Sequence, residues 1–183
     1  MTGLAKGARV QIGDGDLSAL IAQASWDPGA IRADVVAFVC GVDGAVLARE
    51  NFIFFHNKVS PERAVFLLED TVAGVNRGAQ LMLDLTALPS AAERIDVVLV
   101  APSEDGRRLP TLESVSDIQF DLWDPTDGSE LCSFAIGQGG LYSCLALGRL
   151  YRHQENWKFW AMGEMYPKDF ASLVRDYGIA VSS

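Results

Sequence analysis

The sequence predicts an all-β protein, either a β-sandwich or a β-barrel. Short apolar stretches rich in β-branched and aromatic residues recur along it at intervals of about 8–15 residues, and clusters of turn-forming residues separate them. The chain has 183 residues, of which 49% are hydrophobic. That length suits one domain with a sizeable core, so we expect a single domain over residues 1–183.

Six of these stretches have the composition of strands. They are residues 35–40, 52–55, 81–85, 95–100, 120–123 and 131–136. The last two flank a turn rich in Asp, Pro and Gly at 124–128, which predicts a hairpin.

A longer hairpin is predicted from residues 145–153 and 157–163, with its turn centred on Gln154 and Glu155. In that register Arg149 lies opposite Trp160, where a guanidinium over an indole would contribute about 0.5–1 kcal/mol. Gln-Glu disfavours the positive φ that a two-residue turn needs, and a bulge or a longer loop would shift the register.

Two segments carry helix signals. Asp169 can cap a helix over residues 170–177, whose apolar residues share one face, and Gly178 would end it. Ser60, followed by proline and glutamate, is also typical of a helix start, so residues 64–75 stay open between helix and strand.

Charge and cysteine content exclude several classes of protein. There are 15 basic and 24 acidic residues, a net charge of −9, which opposes nucleic-acid binding because phosphates need a positive surface. The acidic excess is consistent with solubility alone or with cation binding. Cys40, Cys132 and Cys144 show no Cys-x-x-Cys spacing, and we expect buried, reduced thiols.

Neither a membrane-length apolar run nor a signal-peptide core is present, so the expected location is the cytoplasm.

No catalytic constellation stands out. His56 and His153 are isolated from each other, and neither Ser133 nor Ser143 lies in a Gly-x-Ser-x-Gly motif. The one enzymatic alternative is a cleft near His153 and Glu155. We therefore expect no enzyme.

The most specific pattern lies in the C-terminal third. It reads G-x-L-Y-R-H-x-x-x-W-K-F-x-A-x-G over residues 148–163, with D-Y-G at 176–178. Shorter matches precede it in order, among them L-x-K-G at 4–7, W-D at 26–27 and F-I-F at 52–54. Together these strings resemble the TerD family of tellurium-resistance and general stress proteins over nearly the whole chain.

The resemblance implies a two-sheet antiparallel β-sandwich with short peripheral helices, including one at the C-terminus. It also implies a cytoplasmic location and no established enzymatic chemistry. It also favours strand over helix at residues 65–68. Typical members bind calcium, and they act with other tellurium-resistance proteins, including a membrane-embedded one.

The sequence departs from the family pattern where calcium would bind. Family members carry Asp-Leu-Asp before an Ala-x-Ala-Phe strand, whereas this chain has Arg-Ala-Asp at 32–34. The usual acidic loop is replaced by residues 69–80, which retain only two acids at their start and add Arg77. Calcium prefers six to eight oxygens, several from carboxylates. The candidate ligands of a weak residual site are Asp27, Asp34, Glu69 and Asp70.

Three hypotheses follow. The preferred one is a non-enzymatic TerD-like stress-response protein that acts through protein contacts and has lost tight calcium binding, with Asp34 paired to Arg32 or Arg77. The alternative keeps one weak calcium site, and the third is the enzyme with a cleft near His153.

Overall fold

The computed structural model describes residues 3–13, 15–72, 75–103 and 109–181. Within these ranges the chain forms eleven strands, one short 3-10 turn at Arg49–Asn51 and one α-helix. The strands and the helix are β1 Arg9–Gln11, β2 Ala19–Asp27, β3 Asp34–Cys40, β4 Phe52–Ile53, β5 Val65–Val72, β6 Val75–Asp84, β7 Arg94–Val100, β8 Ser116–Trp123, β9 Glu130–Gly137, β10 Cys144–His153, β11 Asn156–Tyr166 and α1 Phe170–Asp176.

The strands form two antiparallel sheets, which confirms the predicted sandwich. One sheet has six strands in the order β1-β11-β10-β7-β3-β4, and the other has five in the order β5-β6-β2-β8-β9. The main core lies between the sheets. In β2, for example, Leu20, Ala22 and Ala24 are buried while the residues between them are half-buried on the outer face. Phe120 and Phe159 meet across the core, with ring centroids 5.7 Å apart.

A second apolar cluster lies on the outer face of the six-stranded sheet. Helix α1 contributes Leu173 and Val174, which pack with Val36 and Phe38 of β3. Because β3 is covered on both faces, every residue in it is buried. Asp169 caps the helix by accepting a hydrogen bond from the backbone of Ser172, as predicted.

Val65–Val72, within the segment left open between helix and strand, form a strand and not a helix. The Ser60 hydroxyl accepts hydrogen bonds from the backbone nitrogens of Ala64 and Val65, at 3.1 and 3.0 Å, and so closes a turn. Arg63 has a φ of 59°, which cannot continue a right-handed helix. The strand β5 that follows confirms the expectation drawn from the resemblance.

Two predicted boundaries were wrong. The strand expected at 52–55 ends at Ile53, because Phe54 pairs with Asn57 in a tight turn. The loop expected over 69–80 consists largely of strand, since β5 and β6 pair up to Val72 and Val75. The two residues between those strands lie outside the described ranges.

The long C-terminal hairpin has the predicted register. His153 pairs with Asn156 and Arg149 with Trp160, and the bulge lies further on, between Ala146 and Gly148. The Arg149 guanidinium carbon lies 5.3 Å from the Trp160 ring centroid, so both side chains share a face.

The turn of this hairpin is strained at Gln154. Its φ is 59°, while Glu155 is not in the positive region, which is the pattern of a type II′ turn. A non-glycine residue with this backbone conformation lowers the free energy of unfolding by about 1–3 kcal/mol. Replacing Gln154 by glycine should therefore raise the free energy of unfolding by about 0.5–1 kcal/mol after the added chain entropy is counted.

Urea denaturation measures this change. The matched control is Glu155→Gly in the same turn, which should lower the free energy of unfolding by about 0.5–1 kcal/mol because no strain is relieved. Equal destabilisation by both substitutions would contradict the account of the turn.

Candidate functional site

Asp34, the most buried of the four candidate calcium ligands, is already neutralised. Its side chain lies at the start of β3, and Oδ2 is 2.9 Å from a guanidinium nitrogen of Arg32, one of the two partners that the sequence left open. The side-chain nitrogen of Asn76 donates to the carbonyl oxygen of Ala33 at 3.3 Å and to Oδ1 of Asp34 at 3.4 Å. The Arg32 guanidinium carbon also lies 4.8 Å from the ring centroid of Phe55, which helps to hold it.

This arrangement does not fit a calcium ion. A metal at this point would need the carbonyl of Ala33 and the carboxylate of Asp34 to face it together. Both oxygens instead receive hydrogen bonds from one amide group, that of Asn76. The adjacent guanidinium supplies a positive charge that would repel the ion.

The other three candidate ligands do not join Asp34. Asp27 is exposed at the end of β2, where Oδ1 accepts from the backbone of Gly29 at 3.1 Å. Glu69 lies 3.9 Å from the amine of Lys58, and Asp70 is exposed. Among the residues that the structure describes, no three or more His, Cys, Asp or Glu side chains are grouped so as to hold a metal ion.

The thiols are buried and chemically inert. Cys40, Cys132 and Cys144 are free, as predicted. Burial is the main cause that raises the pKa of each thiol to about 12. The reactive thiolate is therefore scarce at neutral pH.

The two candidate enzymatic residues belong to the hairpin formed by β10 and β11. His153 and Glu155 are both exposed at the tip of the β10–β11 hairpin. Glu155 borders a shallow recess of about 110 Å³ with Leu17 and Leu85. His56 packs its ring against Phe55, with centroids 4.1 Å apart.

A larger cavity of about 390 Å³ lies between β4 and α1. Its walls are mainly apolar, with Phe52, Phe54 and Phe170 among them, and its charged groups are Arg49 and Glu50. It holds no histidine, cysteine or serine that could act as a nucleophile.

The sequence analysis missed the main polar centre of the molecule, which surrounds Asp96 on β7. One row of paired residues crosses all six strands of the sheet. The row runs Phe52, Phe38, Asp96, Arg149, Trp160 and Arg9. Only the pair of Arg149 with Trp160 could be predicted, because the rest requires the order of strands that are distant in sequence.

Asp96 is a buried carboxylate with three partners. It is only 3% exposed. Arg149 binds it with two nitrogens, Nε to Oδ1 at 2.6 Å and a terminal nitrogen to Oδ2 at 3.1 Å. A nitrogen of Arg94 lies 3.4 Å from Oδ2, and the hydroxyl of Tyr177 donates to the same oxygen. The two hydrogen bonds from Arg149 and the one from the Tyr177 hydroxyl replace those that water would make to this buried carboxylate.

These contacts keep Tyr177 and Arg149 protonated. For Tyr177, burial and the neighbouring carboxylate both raise the pKa above its ordinary range, so the hydroxyl remains a donor. For Arg149, burial lowers the pKa, but the hydrogen bond and charge of Asp96 outweigh it and raise the pKa overall.

Tyr177 also anchors the C-terminal helix to the sheet. Its ring stacks on Phe38 with centroids 3.8 Å apart and planes 4° apart, and Phe38 in turn stacks on Phe52 at 4.8 Å. The Asp-Tyr-Gly string at 176–178 therefore has a structural role, since Gly178 takes a φ of 88° directly after the stacked ring. The buried carboxylate of Asp96 thus positions strands and the C-terminal helix.

No helix in the described part of the chain has the length and apolarity needed to cross a membrane.

Comparisons with known proteins agree with the fold and the sequence pattern. The model of the TerD domain family matches residues 1–177. The tellurium resistance protein TerD of Serratia marcescens is 29% identical over 152 residues, covering 81% of this chain and 79% of that protein. General stress protein 16U of Bacillus subtilis (strain 168) is 24% identical over 189 residues, covering 97% of each chain. The crystal structure of a homologue of telluride resistance protein (TerD) from Streptomyces coelicolor A3(2) has a TM-score of 0.64 and 17% identity. It covers 90% of this chain and 99% of that chain.

Proposed function

Because this chain belongs to the TerD domain family of tellurium-resistance and stress proteins, we propose that it is a non-enzymatic stress-response protein that acts through contacts with other proteins. Its buried polar centre is committed to positioning strands and the C-terminal helix, which supports a role in presenting surfaces. The partners in this proposal are other tellurium-resistance proteins, including a membrane-embedded one, and the location is the cytoplasm.

The proposal includes the loss of tight calcium binding. The observation that carries it is the local pairing of Asp34: the guanidinium of Arg32 lies 2.9 Å from Oδ2 as an ion pair, and the amide of Asn76 donates to Oδ1. A protein contact made by this family member then does not depend on calcium. Calcium-controlled and calcium-independent members would differ at these two positions.

Calorimetric titration with calcium tests this part directly. The wild-type protein should give no binding heat at calcium concentrations up to about 1 mM, a range in which even weak extracellular sites bind. The double substitution Arg32→Asp and Asn76→Asp removes both donors and adds two carboxylates beside Asp34. We expect this variant to show a measurable heat of calcium binding.

The matched control is Arg77→Asp with Gln80→Glu, which changes the net charge by the same amount on β6, the strand that also carries Asn76. Circular dichroism establishes that each variant is folded. Strong binding by the wild type would overturn the proposed loss. Binding by the control and the test variant alike would show that bulk charge, and not the site at Asp34, controls affinity.

A further inference from the structure

The two sheets of this acidic protein carry opposite charges. Strands of the six-stranded sheet hold five basic and three acidic side chains. Strands of the five-stranded sheet hold one basic and seven acidic side chains. The negative net charge of −9 is therefore distributed unevenly: the strands of one sheet are positive overall and those of the other are negative.

One half of the outer face of the six-stranded sheet is cationic and aromatic. Helix α1 covers the side of β3 and β4, and the side of β10, β11 and β1 remains accessible. We call this accessible area the cationic face; it consists of Arg9, Arg149, Tyr151, Lys158 and Trp160. All five lie on outward positions of their strands, and Arg9 is exposed. The acidic side chain of Glu164 is also exposed, further along the same face of β11.

The positive charge of this face is not neutralised within the chain. Arg94 and Arg149 share the single carboxylate of Asp96, which leaves one of the two charges unbalanced. Neither Arg9 nor Lys158 has a carboxylate within 4.0 Å among the described residues. Arg9 instead lies over the Trp160 ring, 4.0 Å from its centroid. Its guanidinium can therefore still pair with an incoming carboxylate.

The outer face of the five-stranded sheet has the complementary character. Strands β2, β5, β8 and β9 contain no lysine or arginine. Paired residues place an apolar row across four strands of this face: Phe66, Met82, Ile21 and Trp123.

Acids and a further apolar side chain lie in the next rows of the same face. Leu68 and Asp121 occupy one row, and Asp70 occupies the row beyond it. Leu68 is 51% exposed and Met82 is 41% exposed. We call these residues and the apolar row the acidic face; both faces are sheet surfaces and can stack closely.

We propose that the cationic face of one copy docks on the acidic face of a second copy of this chain. This proposal rests on the proposed function, since it names one of the protein contacts through which the chain acts. The occupant is a second copy because both complementary surfaces are present on the same molecule. At physiological ionic strength the repulsion between the net charges is screened beyond about 8 Å, whereas contacting ion pairs act at about 4 Å.

This contact joins two different surfaces, so it does not close on itself. Each copy keeps one free cationic face and one free acidic face, and association continues head to tail. A variant that lacks one face can still use the other. Two variants that each lack a different face should therefore combine into a dimer that cannot grow.

Sedimentation velocity over a range of protein concentrations tests the proposal. For the wild type, the average mass should rise with concentration at about 50 mM NaCl and fall back toward the monomer at about 500 mM, because exposed ion pairs are screened. Arg9→Gln with Lys158→Gln removes the two charges of the cationic face that have no carboxylate partner among the described residues. Asp70→Asn with Asp121→Asn neutralises the acidic face and keeps an acceptor for the hydrogen bond from Gln119 to residue 121.

Each double variant alone should lose at least tenfold in association constant, and an equimolar mixture of the two should form 1:1 dimers with near wild-type affinity. The control Arg49→Gln with Arg63→Gln removes the same charge elsewhere and should behave as the wild type. Thermal unfolding establishes that the variants are folded.

Three results would overturn the proposal. The first is a wild type that stays monomeric up to about 0.5 mM, where even a weak contact with a Kd near 1 mM would register. The second is a mixture of the two face variants that stays monomeric. The third is an equal effect of the control variant. None of these bears on the calcium titration, so failure of this contact and failure of the proposed function are separable.

Discussion

Replacing Asp96 by alanine should lower the free energy of unfolding by about 3–5 kcal/mol, since it leaves buried cations without their counter-charge. Arg149 loses its bidentate carboxylate and Arg94 loses its ion pair. Tyr177 loses the acceptor of its hydroxyl and, with it, part of the attachment of α1. For a chain of this size the midpoint of thermal unfolding should fall by roughly 6–20 °C.

Urea denaturation of the Asp96→Ala variant measures this loss, and Tyr177→Phe is the graded control. That substitution keeps the ring stacked on Phe38 and removes one hydrogen bond to a charged group. We therefore expect it to lower the free energy of unfolding by about 1.5–3 kcal/mol. A loss below about 1 kcal/mol for Asp96→Ala would contradict the role of this carboxylate as the centre of the sheet.

Gly148→Ala should destabilise the protein by about 1–3 kcal/mol or more, because there is no room for a methyl group at this position. A Cβ built at residue 148 would lie 2.3 Å from Cε1 and 2.6 Å from Cζ of Phe159. That ring is fully buried in the core and cannot move aside freely. The glycine that opens the family string at 148–163 is therefore explained by packing.

A double-substitution cycle checks this explanation. Phe159→Leu shortens the opposing side chain, so the cost of Gly148→Ala should be smaller in that background than in the wild type. Gly3→Ala is the control, since a Cβ at that position meets nothing within 4 Å. Additive costs for Gly148→Ala and Phe159→Leu would contradict the proposed clash.

The local features of the fold could be read from the sequence. The C-terminal helix has its own cap and stop signals, and the β10–β11 hairpin has a two-residue turn flanked by apolar alternation, so its register followed directly. Residues 64–75 stayed open between helix and strand because Ser60 and Pro61 are typical of a helix start. The serine hydroxyl closes a turn instead, and pairing with β6 then fixes a strand.

The surroundings of Asp96 and Asp34 depend on contacts between residues that are distant in sequence. For that reason most of these contacts could not be predicted from the sequence. Asp96 meets Arg149 and Tyr177 only because β7 lies beside β10 and beneath the end of α1. The Arg32–Asp34 pair was predictable because the two residues are close in sequence. Asn76, which completes the neutralisation of Asp34, is 42 positions away and carries no charge that would have indicated it.

Thermal unfolding of the wild-type protein with and without millimolar calcium tests the central claim most directly. A ligand at a hundred times its Kd adds about 2.7 kcal/mol of stability, which would raise the midpoint by roughly 5–10 °C in a chain of this size. With Asp34 held by Arg32 and Asn76, we expect the same midpoint in calcium, in magnesium and in chelator. A rise of several degrees in calcium that is absent in magnesium would contradict the loss of tight calcium binding.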